Sequence, residues 1–322
     1  MFAAPQGDTL RPWGGPADAD RLSKFAALDV GRVVAAHGRH VVVETPDGER
    51  LACHLRGKKS DCVVGDLVRW QPAGDEGVVE HIEPRRNLLF RQDDWRTKSF
   101  AANLDQILVL VAGEPMFSET QLARALIAAD SAGIAVQVLL NKSDLPQAAL
   151  ARERLQPYRA MGVSVIETAL KGDPDAARAL LAPILAERTT LVLGPSGTGK
   201  STLINLMVAN AAAQVGEVSR ALNSGRHTTT TSTWYWLDGQ RKGALIDSPG
   251  FQEFGLRHID AQQLPLLMPD LRAHVAHCRF YNCSHRQEPG CGVIAAVERG
   301  EVSASRWRIY GEICDELART KW

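Results

Sequence analysis

Residues 189–201 read Thr-Thr-Leu-Val-Leu-Gly194-Pro195-Ser196-Gly197-Thr198-Gly199-Lys200-Ser201, an apolar run that breaks into a glycine-rich turn. Thr202 then leads into the helix-forming stretch LINLMVANAAA. Strand, glycine loop, Lys-Ser and helix, in that order, form the phosphate-binding loop in the context its chemistry needs. The glycines let backbone N–H groups close around phosphate oxygens. Lys200 is placed to neutralise the β- and γ-phosphates and the Ser201 hydroxyl to hold Mg²⁺, and the helix start adds partial positive charge.

Working outward, the runs NLDQILVLVAG, IAVQVLLNKSD, VSVIETAL, TTLVLGPSG and GALIDSPG alternate with Ala- and Leu-rich helical stretches. Such alternation predicts a parallel α/β sheet, and sheets of this kind bind ligands at the carboxyl ends of their strands. Asn141-Lys142-Ser143-Asp144 closes one run. A carboxylate at Asp144 accepts from guanine's ring N–H and its exocyclic amine together, a pair adenine lacks. Asn141 is expected to fix the loop and meet the base edge, with the Lys142 stem along the ring. Thr168-Ala169 closes the next run, where a backbone N–H can read guanine O6.

Asp247-Ser248-Pro249-Gly250 closes the last run. Asp247 suits a Mg²⁺-bound water and the Gly250 N–H the γ-phosphate. Before it lies Gly225-Arg226-His227 with four threonines, where one hydroxyl is needed to complete the Mg²⁺ shell. Thr229 is the choice, with Thr228 and Thr230 as rivals. The position after Gly250, usually a water-orienting Gln, is Phe251, which cannot hydrogen-bond. His227 is the candidate for that task and Gln252 the runner-up.

The order of these motifs is unusual, because NKSD and Thr-Ala precede the phosphate loop. Moving the chain ends of a compact domain rebuilds the same strands from another starting point, so a circularly permuted domain is expected. The loop after DSPG then runs directly into a C-terminal cysteine-rich segment, which suggests coupling of the γ-phosphate sensor to that segment. Asp238-Gly239 marks a hairpin that adds one antiparallel strand.

On the N-terminal side, residues 1–22 are rich in Gly, Pro, Ala and Asp without periodicity and read as disordered. Val30 to Glu83 shows short apolar runs broken by turn signals, with Asp47-Gly48 expected to make a type I′ hairpin turn. Five such strands suit an OB-type barrel. Pro84 to Lys98 reads as a basic connector, with Arg85, Arg86, Arg91, Arg96 and Lys98 around Phe90 and Trp95, suited to single-stranded nucleic acid. The expected divisions are a tail over 1–28, the barrel over 29–87, the nucleotide domain over 88–260 and a helical metal domain over 261–322.

Within that last domain, Cys278, Cys283, His285 and Cys291 form a Cys₃His set, a common tetrahedral structural zinc site. His274 and His277 are alternative ligands, and Cys53, Cys62 and Cys314 read as packing residues. The final helix places Trp307, Tyr310, Cys314 and Leu317 on one face, expected to pack on the nucleotide domain or the metal site.

Lys plus Arg equals Asp plus Glu at 37 each, so nucleic acid must be met by a local patch, not by a general field. No apolar run reaches the ~18–20 residues of a membrane span. The expectation is a cytoplasmic monomer. An ATP-dependent phosphate-loop enzyme is the first rival reading, and an RNA-binding scaffold that holds GTP without turnover the second.

Taken together, GRHTTT, DSPG, the Cys-x4-Cys-x-His-x5-Cys spacing and EPRRNLLFRQD resemble the ribosome small subunit-dependent GTPase family (RsgA) over roughly residues 29–322. The resemblance implies a multidomain α/β protein: an N-terminal OB-type β-barrel, a circularly permuted P-loop GTPase domain and a C-terminal zinc-binding helical domain. It implies action in late maturation of the 30S ribosomal subunit, binding 16S rRNA and hydrolysing GTP to GDP on stimulation by that subunit. It assigns guanine to Asn141, Lys142 and Asp144, phosphate and Mg²⁺ to Gly194 through Thr202, one structural Zn²⁺ to the four cysteine-cluster ligands, and a catalytic role to His227. Thr168 stands where the family usually has Ser, and Pro195 stiffens the phosphate loop.

Overall fold

The computed structural model describes residues 25, 27–37, 40–56, 62–92, 97–211, 214, 232–248, 251 and 254–319. His227, Thr228, Thr229, Thr230, Gly250, Gln252, Trp95 and Arg96 lie outside these residues.

The N-terminal strands are β1 (Asp29–His37), β2 (His40–Glu44), β3 (Arg50–Leu55), β4 (Leu67–Ala73) and β5 (Glu76–Ile82). They pair in the order β1-β2-β3-β5-β4, and β4 returns to β1 to close a barrel. Its interior is filled by Val33, Val41, Val43, Cys53, Val68, Trp70 and Val79. The β2–β3 turn differs from expectation. The Gly48 N–H donates to Thr45 O at 2.9 Å, and only Gly48 of the Asp47-Gly48 pair takes positive φ, at 93°. One glycine therefore makes the reversal as a bulge after a turn, and Asp47 is spared the strain that a type I′ turn imposes.

The basic connector is a hairpin of β6 (Leu88–Gln92) and β7 (Thr97–Ala102). Leu89, Phe100, Ala101 and Ala102 on it are buried. Two of its approaching arginines are paired within the protein: Arg85 grips buried Asp66 with two nitrogens at 2.7 and 2.8 Å, and exposed Arg86 reaches Asp105 at 2.7 Å.

The nucleotide domain is built on β8 (Gln106–Ala112), β9 (Ala135–Asn141), β10 (Ser164–Glu167), β11 (Thr189–Leu193), β12 (Thr233–Trp236) and β13 (Ala244–Asp247). They lie in the order β10-β9-β8-β11-β13-β12, parallel except for the expected antiparallel β12. Helices α1 (Glu119–Ser131) and α2 (Ala148–Ala160) cover one side of the sheet, and α3 (Pro174–Leu185) and α4 (Lys200–Met207) pack in a separate core with Leu108, Leu110 and Val192. Ser118 caps α1 and Asp173 caps α3, each by accepting a backbone N–H. The sheet continues into the barrel, where Thr233 of β12 pairs with Ala35 of β1.

Beyond residue 260 come α5 (Pro269–Val275), α6 (Gly292–Glu298) and α7 (Ala304–Ala318). The fully buried face of α7 is Arg306, Ile309, Tyr310 and Ile313, with Trp307, Cys314 and Leu317 at its margin, so the helix is rotated from the expected orientation. Arg306 belongs to that face although charged residues are mostly exposed. It is buried because its guanidinium takes both Asp270 oxygens, at 2.8 and 3.0 Å, and lies 5.1 Å over the Tyr158 ring. The helix meets both the nucleotide domain and the cysteine cluster.

Candidate functional site

The carboxyl ends of β9, β10, β11 and β13 deliver Asn141, Thr168, Gly194 and Asp247 to one edge of the sheet. Asn141 is the hub. Its Nδ2 donates to Thr198 O at 2.8 Å and its Oδ1 accepts from Leu170 N at 3.0 Å, so one buried amide joins the phosphate loop to the segment after Thr168-Ala169. Ser143 N donates to Thr168 O at 3.0 Å, which zips NKSD to the same segment. Asp144 is exposed beside Gly172, where an added Cβ would lie 2.8 Å from Asp144 Oδ2. A side chain at Gly172 would press on the Asp144 carboxylate, and the Glu114 carbonyl holds the Lys142 ammonium at 2.6 Å.

The phosphate loop keeps three glycines in conformations that side chains avoid, with φ of 151° at Gly194, 82° at Gly197 and 111° at Gly199. Thr198 Oγ1 donates to Pro195 O at 2.9 Å, and the Lys200 ammonium donates to the carbonyls of Gly194 and Pro195 at 2.7 and 2.9 Å. Ser196, Gly197 and Ser201 face solvent, and Thr202 is half-buried on the first turn of α4. Burial lowers the Lys200 pKa and raises that of Asp247, and each opposes the other's shift by its charge. A cation and an anion are therefore held together at the mouth of the loop. Ser232 Oγ donates to Ser248 Oγ at 3.0 Å, tying the start of β12 to the residue after Asp247. Phe251 is 4 % exposed and packs edge-on against Phe254, which stacks on Phe100 at 5.2 Å.

The second cluster is Cys278, Cys283, His285 and Cys291, whose ligand atoms all lie within 4.8 Å of one another. Neither His274 nor His277 joins it. Cys278 Sγ is 3.4 Å from His285 Nδ1 and 3.9 Å from Cys291 Sγ, and Cys291 Sγ is 3.5 Å from His285 Nδ1. Tetrahedral zinc–sulfur bonds of about 2.3 Å imply ligand separations of about 3.8 Å, so the four residues fit a zinc ion. Burial, reinforced by the Cys291 and Cys278 thiols, pushes the Cys283 thiol up to about 12. A bound dication reverses that preference and favours thiolates. Gly292 N and Ile294 N donate to Cys278 and Cys291 sulfurs at 3.3 and 3.4 Å, an outer shell suited to thiolate charge.

A phosphate loop and an NKSD loop bridged by one asparagine, on a sheet whose strands run in permuted order, define a circularly permuted P-loop GTPase. The RsgA GTPase family model matches residues 82–257. A relative from Variovorax paradoxus (strain S110), a small ribosomal subunit biogenesis GTPase RsgA, is 59 % identical over 300 residues, 92 % of this chain and 94 % of its own. A relative of the same name from Burkholderia pseudomallei (strain K96243) is 52 % identical over 292 residues, 90 % of this chain and 92 % of its own. Among solved structures, YjeQ from Thermotoga maritima matches with a TM-score of 0.70 at 28 % identity, covering 91 % of this chain and 99 % of that one. YloQ, described as a circularly permuted GTPase, matches at 0.66 and 26 % identity, covering 92 % of this chain and 98 % of that one.

The chain belongs to the RsgA GTPase family. It is a GTP-hydrolysing P-loop enzyme with a closed N-terminal barrel and a C-terminal Cys₃His cluster compatible with zinc. No helix among the described residues is long and apolar enough to cross a membrane.

Proposed function

We propose that this GTPase acts in late maturation of the small (30S) ribosomal subunit, binds its 16S rRNA, and turns over GTP to GDP when the subunit stimulates it. The observation that carries this reading is the 59 % identity across 94 % of the Variovorax relative, whose name states small ribosomal subunit biogenesis. A soluble cytoplasmic monomer is the corresponding physical state.

Asp144 selects guanine by accepting its two N–H groups, while Asn141 holds the base loop and the phosphate loop at a fixed separation. Thr168-Ala169 offers a backbone N–H to O6. Gly194 through Gly199 cradle the phosphates with N–H groups, and Lys200 meets the β- and γ-phosphates once these replace the Gly194 and Pro195 carbonyls as its partners. The oxygen donors of Ser201 and Asp247 suit a hard divalent cation. Mg²⁺ bound with GTP would neutralise phosphate charge. Ser201 and Thr229 would hold it directly and Asp247 through water. Gly250 N–H senses the γ-phosphate, and His227 orients the attacking water in place of buried Phe251. The cysteine cluster holds one structural zinc, with no position left open for catalysis.

Turnover by the full chain, alone and with purified small or large ribosomal subunits at one fixed salt concentration, tests this reading. Stimulation by the small subunit only, lost in His227→Ala, is expected. No stimulation with GTP still bound would overturn it in favour of a scaffold.

A further inference from the structure

Between the first two cysteines of the cluster, the chain exposes Arg279, Phe280, Tyr281 and Asn282 in succession. Tyr281 has a relative exposure of 103 % and Phe280 of 41 %. Leaving two adjacent aromatic rings in water forfeits the burial that favours folding, so a partner surface is the physical expectation.

The backbone beneath these rings is pinned. Cys283 N donates to Phe280 O at 3.3 Å, closing the turn, and Arg279 N donates to Gly290 O at 3.0 Å. The Arg279 stem lies on Gly290, where a Cβ would come within 3.1 Å of the Arg279 Cβ. Its guanidinium sits 5.4 Å over the Phe280 ring. The rings are thus presented from a fixed base, which limits the entropy lost when a planar group stacks on them.

Charge narrows the class of partner. Glu288 is the one carboxylate from 278 to 291, and it is turned inward to accept the N–H groups of Ser284, Arg286 and Gln287. Arg279 has no acidic neighbour in this segment. A flat aromatic face beside a guanidinium, with no outward carboxylate, matches an unpaired base and its phosphate.

We propose that Arg279, Phe280 and Tyr281 form a stacking edge for an unpaired RNA base, with Tyr281 as the platform. The proposal rests on the rRNA-binding reading and adds the kind of RNA and the residues that meet it.

The test is equilibrium binding of the full chain to a labelled, unstructured uridine-rich RNA, to an RNA duplex of equal length, and to purified small subunits, with zinc content measured for each variant. Tyr281→Ala is expected to weaken single-strand binding about tenfold and leave duplex binding and the salt slope unchanged, with Tyr281→Trp restoring affinity. Arg279→Ala should reduce the salt slope by about one. Single-strand binding unchanged in Tyr281→Ala would overturn the proposal, and a loss confined to intact subunits would assign the edge to a ribosomal protein instead. Subunit-stimulated turnover, measured in parallel on the wild type, reports separately on the ribosomal reading.

Discussion

The Trp236 indole N–H donates to Glu44 Oε1 at 2.7 Å, joining the strand beside Asp247 to the barrel. The second Glu44 oxygen accepts from Arg50 Nε at 2.8 Å, and Arg50 also reaches Gln214 O at 3.3 Å. Gln214 in turn bonds both N and O of Trp236, and Arg32 lies 4.7 Å over the Trp234 ring. Residues 215–231, which carry His227 and Thr229, lie between Gln214, bonded to Arg50 of the barrel, and Ser232, whose neighbour Thr233 pairs with Ala35 of β1.

Glu44 is 5 % exposed, so its removal takes a buried acceptor from the part-buried Trp236 indole N–H and leaves Arg50 with Gln214 O but without its carboxylate. Glu44→Ala is expected to cost about 3 kcal/mol in urea unfolding, in line with breaking a buried pair from one side. A cost within error of zero would show that the joint contributes nothing.

Replacing Phe251 by Gln restores the residue type common at this position in other GTPases. Here the side chain is enclosed with Phe254 and Phe100, so the amide would enter an apolar cluster and not the site. Phe251→Gln is expected to destabilise by about 3 kcal/mol without raising turnover. Faster hydrolysis in that variant would contradict the burial argument.

Burial lowers the pKa of His258, whose ring lies 4.4 Å from Phe90 and whose Nδ1 has no hydrogen-bond partner among the described residues. A base with a folded pKa below its unfolded value binds fewer protons when native. Its contribution is intact above about pH 6.5 and is lost as pH falls through that value toward the folded pKa. His258→Leu should therefore show a smaller drop in denaturant midpoint between about pH 7 and pH 5.5 than the wild type. Equal drops would refute the assignment.

The cysteine cluster predicts one zinc per purified chain. Cys283→Ser removes one of four ligands and is expected to give substoichiometric zinc and a lower melting temperature, read by colorimetric metal release and calorimetry. Full zinc content in that variant would exclude Cys283 as a ligand.

The nucleotide-domain strands, the barrel, the motif positions and the Cys₃His cluster were legible because each demands particular residue types at particular spacings. Asn141, Lys200 and Cys278 announce their chemistry. What stayed hidden depends on neighbours remote in sequence or on backbone atoms. The β6–β7 hairpin looked like a basic connector because charged residues interrupt its buried positions Leu89 and Phe100. The burial of Arg306 on α7 depends on its pair with Asp270, which no helical periodicity reveals. Gly172 comes to lie against Asp144, far from it in sequence, and Glu114 contributes a carbonyl that its side chain does not advertise.

The proposal that Asp144, Asn141 and the phosphate loop together hold one guanine nucleotide is best checked by displacing labelled GDP from the wild type and from Asp144→Asn with GTP, ATP and xanthosine triphosphate. The wild type should favour GTP over ATP by at least about 100-fold, because the Asp144 carboxylate is left without its donors by adenine. Asp144→Asn should lose GTP by a similar factor and gain the xanthosine nucleotide, whose added carbonyl accepts from the new amide. Equal displacement by ATP and GTP, or an unchanged preference in the variant, would contradict the guanine site described above.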